Sequence, residues 1–434
     1  MMKNLLRRIL RRLARLMVWR YRPGIIGVTG SAGKTSAKLA IKAVLSQGRI
    51  VRASPGNLNS DLGVILAILG DWDERDLALV TRATPEGTKR AEKFWFWIRV
   101  IVISAWRIVV RASDYPEILV LEYGADRPGD VKYLLTIARP NVSIITAIGD
   151  VPVHVEYYTG PEEVAREKGR LIEFLPVGGF AILNGDDPVV RNLQSRTRAR
   201  VIMYGFERGE EMRMVRFEHK IRRDGTPDGI SFKLEYGSSI VPVRIPHVFG
   251  RTHAYAAAAA ASVGIVFGMN LVAISEALAH YKPADSRMQL VRGIRSSYII
   301  DDAYNASPIA MRFALETLYD LPAKRRIAVL GDMLELGRHS DDAHARVGRF
   351  TAKTADVLFA IGPRAKGLAE AARMEGMKKG NIFIFDSAET AKMAVRDFIK
   401  PDDLVLVKGS HSMRLDKIVE EIRDRANPSS MPVR

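Results

Sequence analysis

Residues 25–36 read IIGVTGSAGKTS, and the architecture of the chain turns on them. IIGVT (25–29) is a short apolar run of the kind buried in a parallel sheet. It leads into Gly30, Ser31, Ala32, Gly33, Lys34, Thr35 and Ser36, and a helical run continues to about Gln47. A strand, a glycine-rich loop and a helix in that order predict a phosphate loop, with Thr29 at its edge. Glycines let backbone N–H groups close around phosphate oxygens, and the helix N-terminus adds a favourable dipole. Lys34 is placed to reach the β- and γ-phosphates, and the Thr35 hydroxyl to bind Mg²⁺. The strict G-x-x-x-x-G-K spacing asks for glycine where Val28 stands; Gly27 comes one residue early.

Residues 117–122 (EILVLE) predict a second buried strand, ending in Glu122. A carboxylate at the carboxyl end of a parallel strand lies beside such a loop and can hold Mg²⁺ directly or through water. Further strands are expected at 142–147, 180–183 and 200–204, with helices between them, including 161–174. This alternation predicts an α/β domain with a doubly wound sheet. The pattern then changes. Alternating runs at 231–235 and 239–245, with the turn signal RDGTPDG at 223–229, predict small antiparallel strands, and 253–267 an Ala-rich helix.

Beyond a boundary near Lys282-Pro283, strands at 297–301, 326–330, 356–361, 382–385 and 404–407 predict a second, Rossmann-like α/β domain. The expected organisation is a basic amphipathic helix at 1–22, a central ATP-binding domain at 23–283 and a C-terminal domain at 284–434. An apolar helical insertion is expected at about 90–112 of the central domain.

The 434 residues are enough for two or three domains, and 47% apolar content excludes a disordered chain. The absence of cysteine excludes disulfides, thiolate zinc sites, iron–sulfur clusters and cysteine nucleophiles. A net charge of +17 favours anionic partners. Much of it is local. Lys3, Arg7, Arg8, Arg11, Arg12, Arg15, Arg20 and Arg22 crowd the first 22 residues, which hold no acid. Leu5, Leu6, Ile9, Leu10, Leu13, Leu16 and Met17 form an apolar stripe opposite them. The unbroken apolar core and small-residue cleavage site of a secretory signal are missing. The pattern suits a helix lying on an anionic membrane, or one docked on the protein's own body.

Residues 94–110 (FWFWIRVIVISAWRIVV) hold three of the five tryptophans and only Arg99 and Arg107 as charges. Their length is at the low edge for a membrane span. If Lys34 and Glu122 serve one nucleotide, a single crossing between them is excluded. The segment then lies in the interface, makes a re-entrant excursion, or packs on protein.

Further motifs complete a set: GNLNSDLG (56–63), LEYGADRPGD (121–130), ITAIGDVPVHVEYY (145–158), AREKGRL (165–171), NGDDP (184–188) and DSRMQ (285–289), then DDAYNASP (301–308), VLGDMLELG (329–337) and VKGSHSMRL (407–415). With these the chain resembles the Mur ligases, ATP-dependent amide-forming enzymes of peptidoglycan synthesis. The DDAYNASP and VLGDMLELG pair points to the branch that adds D-alanyl-D-alanine to a UDP-N-acetylmuramoyl-tripeptide. The resemblance implies that a peptide carboxylate attacks the γ-phosphate of ATP, giving an acyl phosphate that the incoming amine then displaces.

It also implies roles. Lys34, His154 and Lys168 are expected to be catalytic. Thr35, Glu122, His154 and Lys168, the last as a carbamate formed with CO₂, are expected around Mg²⁺. From the spacing alone Lys168 reads as a solvent-facing helical lysine. Arg287 is expected on the ATP phosphates, Asp302 on the ribose and Asn305 beside the nucleotide. Asn57 and Asn59 resemble the acceptor-side motif, and Lys408, Gly409 and Ser410 a loop near the incoming amine. His253-Ala254 stands where the family usually has a His-Asn pair, and His411 where Arg is commoner. The phosphate loop follows the basic helix at once, so the family's separate N-terminal domain for the uridine nucleotide is expected to be lacking.

The expected setting is cytoplasmic, with peripheral contact at the inner face of the membrane through 1–22 and 94–110. Two other readings remain: a sibling Mur or folylpolyglutamate-type ligase with a different or lipid-linked acceptor, and a basic nucleic-acid-binding P-loop ATPase. Against the last, the excess charge sits in one helix and no basic groove interleaved with aromatics is evident.

Overall fold

The computed structural model describes residues 2–56, 58–80, 90–110, 112–223 and 225–424. The chain opens with α1 (Met2–Tyr21), β1 (Gly24–Thr29) and α2 (Lys34–Leu45). Next come β2 (Val51–Ala53), α3 (Asp61–Leu69), α4 (Glu74–Val80), α5 (Arg90–Val109) and β3 (Ile118–Glu122). They lead to α6 (Asp130–Leu135), β4 (Val142–Ile145), α7 (Pro161–Glu173), β5 (Phe180–Asn184), α8 (Pro188–Arg191) and β6 (Arg200–Gly205). An antiparallel meander of β7 (Met212–Ile221), β8 (Pro227–Tyr236) and β9 (Ser239–Pro246) follows, then α9 (Arg251–Val266) and α10 (Leu271–Leu278).

These strands form one sheet in the order β2-β3-β1-β4-β5-β6-β7-β8-β9. β7 joins β6 in parallel through Tyr204 and Met212, so the meander extends the doubly wound sheet. The turn expected at 223–229 is shorter than its sequence signal. β8 already begins at Pro227, because Arg222 N–H closes the turn on Thr226 O at 2.8 Å. Three-residue β2 carries no readable period and was not anticipated.

On one face of the sheet α2 packs against α9, whose run Ala256–Ala261 is wholly buried. Small side chains let the two helices approach closely. On the other face Leu10 and Met17 of α1, Val64 and Ile68 of α3, and Phe96 and Val100 of α5 share one cluster. The apolar segment at 94–110 is thus a helix packed on protein along one side. No described helix is long and apolar enough to cross a membrane.

The second sheet begins with β10 (Gln289–Arg292) and β11 (Tyr298–Asp301), followed by α11 (Pro308–Asp320), β12 (Arg325–Gly331), α12 (Ser340–Thr354) and β13 (Val357–Ile361). It closes with α13 (Ala365–Met374), β14 (Ile382–Phe385), α14 (Ala388–Phe398), β15 (Asp403–Lys408) and α15 (Asp416–Ile422). Its order is β10-β11-β15-β12-β13-β14, and only β10, an edge strand absent from the sequence expectation, is antiparallel. Lys34 and Glu122 at carboxyl ends of the first sheet, and Asp302 and Lys408 at those of the second, line one cleft.

Candidate functional site

The cleft between the two sheets encloses about 840 Å³, within the range of nucleotide and substrate pockets. Of the described site residues, Thr29, Gly30, Lys168 and Gly409 stand off its wall and the others line it. Asn57 lies outside the described residues.

The phosphate loop is shaped by two left-handed glycines, Gly30 (φ +149°) and Gly33 (φ +82°). A Cβ on Gly30 would sit 2.1 Å from Thr146 Oγ1. That hydroxyl lies 2.6 Å from Ala32 O, and Ser31 N–H donates to Ala147 O at 2.6 Å, so the chain after β4 fixes the loop. Lys34 folds back and donates from Nζ to Gly30 O at 2.8 Å. Burial lowers its pKa, and nearby Glu122 opposes the shift.

Register places Glu122 opposite Val28, at the foot of the loop. Thr35 Oγ1 donates to Glu122 Oε2 at 3.3 Å, so these two expected Mg²⁺ ligands do meet. Lys38, which the sequence reading did not single out, completes the group. Its Nζ lies 3.2 Å from Glu122 Oε2 and donates to Gly56 O at 2.5 Å. Burial alone would raise the Glu122 pKa, but Lys38, Lys34 and Arg287 hold it below the ordinary carboxylate value. The available signal was spacing, since Lys38 is one helical turn beyond Lys34. Among the described residues no three His, Asp or Glu side chains form a metal cage. One hydroxyl beside one carboxylate suits an Mg²⁺ that phosphate oxygens and waters also ligate.

His154, in the left-handed region (φ 66°), reaches across the cleft. Its Nε2 is 3.3 Å from Asp126 Oδ1 and its Nδ1 2.5 Å from Glu335 Oε2. One carboxylate comes from each half of the molecule. Both lie inside quoted motifs, LEYGADRPGD and VLGDMLELG, yet neither was picked out. Lys168 corrects the solvent-facing reading of its helix: it is 1% exposed. Among the described residues its Nζ makes no hydrogen bond or ion pair. Burial chiefly, then Lys34, lowers its pKa to about 7, while Asp126, Glu167 and Asp130 pull the other way.

From the second half, Arg287 brings Nη2 to 3.5 Å from Thr35 Oγ1, with its guanidinium 3.9 Å over the Tyr304 ring. Buried His253 holds this arginine's backbone: Nε2 lies 3.2 Å from Arg287 O, and Nδ1 3.0 Å from Tyr281 Oη. Burial lowers the His253 pKa to about 4, which keeps the ring neutral. Asp302 and Lys408, expected to serve separate ends of the reaction, form one buried pair at 2.5 Å. Lys408 Nζ also donates to Asn305 O at 2.9 Å. Asn305 Oδ1 accepts from Ala306 N–H, and Ser410 Oγ from Leu334 N–H, both at 2.9 Å. Asn59 O accepts from Gly124 N–H at 2.9 Å, fixing the loop before α3 to the segment after β3.

Residues 107–264 match the family described as Mur ligase middle domain, and residues 286–411 the family described as Mur ligase, glutamate ligase domain. The UDP-N-acetylmuramoyl-tripeptide--D-alanyl-D-alanine ligase of Escherichia coli (strain K12) is 27% identical over 402 residues, 92% of this chain and 77% of that protein. The ligase of the same name from Bacillus subtilis (strain 168) is 27% identical over 417 residues, 95% of this chain and 79% of its own length. The crystal structure of MurF ligase from Thermotoga maritima in complex with ADP matches with a TM-score of 0.75 at 25% identity, over 96% of this chain and 83% of that one.

Proposed function

The chain belongs to the Mur ligase family, and on that footing we propose that it is an ATP-dependent ligase of peptidoglycan precursor synthesis. It joins D-alanyl-D-alanine to a UDP-N-acetylmuramoyl-tripeptide. The observation that carries the reading is the single cleft in which the phosphate loop meets Arg287, Asp302 and Lys408 of the other half.

A carboxylate is a poor acyl donor because oxide would have to leave. Attack of the tripeptide's terminal carboxylate oxygen on the γ-phosphorus breaks the bond to ADP and forms an acyl phosphate. The dipeptide amine then attacks the acyl carbon, loses a proton, and inorganic phosphate departs. Positioning and charge neutralisation supply most of the rate. Lys34 and the loop hold the phosphates. Arg287 approaches from the second half, so the constellation is complete only when the halves are closed. Asp302 and Asn305 sit on the nucleotide side. Asn59 and Ser410 face the acceptor and the incoming amine, and Lys408 holds Asp302 and the Asn305 carbonyl. Thr35 and Glu122 would hold Mg²⁺, which would neutralise phosphate charge. His154, between Asp126 and Glu335, borders the reacting end. Lys168, with a pKa of about 7, offers the neutral amine that CO₂ can carbamylate. The setting is the cytoplasm, with a peripheral contact at the inner membrane face through residues 1–22 and 94–110.

ADP release with ATP, Mg²⁺, UDP-linked muramoyl tripeptide and D-alanyl-D-alanine, with mass spectrometry of the product, tests the reading. The expected result is a pentapeptide product and ADP that appears only when both substrates are present. ADP release that ignores either substrate would overturn it.

A further inference from the structure

We infer that α1 and α5 together form a docking platform for an anionic membrane surface. The inference rests on the peripheral contact already proposed, and it names the surface and the lipid charge.

On α1, Leu10, Ala14 and Met17 face the core. Leu5, Ile9, Leu16 and Trp19 (68% exposed) face outward, beside exposed Arg8, Arg12 and Arg15. On α5, Phe96, Val100 and Ser104 are buried, while Trp95 (65% exposed), Val102, Trp106 (56% exposed) and Val109 project to solvent. These four recur at the spacing of one helical face. A helix that only packs on its own body is polar on the outside. Both of these helices carry large apolar side chains outside as well as inside.

The two helices make one surface. Tyr21 Oη donates to Arg107 O at 2.7 Å and Arg20 Nε to Ile108 O at 3.3 Å, which ties their carboxyl ends together. The charge pattern selects the occupant. α1 has no acid in its first turn or elsewhere, and Asp76 and Asp114 beside α5 are already paired with Arg99 and Arg107. A second copy of the chain, packed face to face, would set these arginines against their own counterparts. Anionic headgroups attract them, while tryptophan and leucine enter the headgroup–acyl boundary. Since no described helix can span a bilayer, the platform lies on the surface. Arg7 of the same helix is 3.7 Å from Asp61 and lines the cleft, so the platform adjoins the cleft.

Flotation of the full chain with phosphatidylcholine vesicles, with and without phosphatidylglycerol, tests this, with tryptophan emission as a second readout. The chain is expected to float only with phosphatidylglycerol, with a blue shift, and to be released by salt. Replacing Arg8, Arg12 and Arg15 together by glutamine should weaken partitioning about a hundredfold. Trp95→Ser with Trp106→Ser should weaken it roughly tenfold or more at unchanged melting temperature. Absence of flotation, equal flotation on neutral vesicles, or an unchanged arginine variant would each overturn the inference. So would a concentration-dependent dimer that the tryptophan variant abolishes. ADP release in solution is unaffected by any of these outcomes, so the ligase reading stands or falls separately.

Discussion

Lys38 and Glu122 form an ion pair sealed inside the protein, Nζ 3.2 Å from Oε2, with the lysine wholly inaccessible to solvent. The pair stands under the phosphate loop and shares its carboxylate with Thr35. It therefore fixes where a negative charge stands beneath that loop.

Removing one partner leaves a buried charge uncompensated. Lys38→Met should cost about 3 kcal/mol or more of stability in denaturant titrations. The double variant with Glu122→Gln should regain most of that loss yet release no ADP. Because Glu122 is held below its ordinary pKa, the pair's contribution is present at neutral pH. It should be lost as pH falls through the lowered carboxylate value, and also as pH rises through the Lys38 value, which burial lowers.

Lys168 makes a second pH prediction, of the same sign as that of Glu122 but in a higher pH window. Its pKa is about 7 in the folded chain against 10.5 for an ordinary lysine. Between those values the unfolded chain binds a proton that the folded chain does not, so stability rises with pH. In CO₂-free buffer Lys168→Met should melt roughly 5 °C higher than the parent at about pH 6, and the gap should narrow toward about pH 9. A gap independent of pH would remove the buried-cation account. Lys168→Ala should lose turnover and recover part of it with a short carboxylic acid.

Gly30→Ala should abolish nucleotide binding with a modest loss of stability. The new Cβ would strike Thr146 Oγ1, and φ of +149° is strained for any side chain. Calorimetric titration with ADP measures the loss, and unchanged affinity would contradict the loop geometry.

Lys34→Ala and Arg287→Gln each remove a cation that lines the cleft, from opposite halves. Each should lower ADP release by about two to three orders of magnitude. Their melting temperatures should change little, since both side chains face the cleft. If either variant keeps full turnover, that residue leaves the mechanism.

The phosphate loop, the parallel strands and Glu122 at a strand end were legible because each depends on local pattern: period, glycine placement and a helix start. Thr146, Lys38, Asp126 and Glu335 were not. Each matters through a partner brought near by sheet order or by the meeting of two halves, as Glu335 meets His154. His253 shows the same limit. Its departure from the family pairing left its role open, and only the fold set it against Tyr281 and the backbone of Arg287.

Periodicity alone determined that α1 and α5 are helices, that one carries the basic excess, and that strands alternate with helices on both sides of residue 283. These follow from propensity and spacing within a few turns of chain. Whether Lys168 meets water or a closed interior, and which apolar face of α5 is covered, depended on the neighbours that packing supplies. Burial belongs to a side chain together with everything that surrounds it, and those surroundings are assembled from distant parts of the chain.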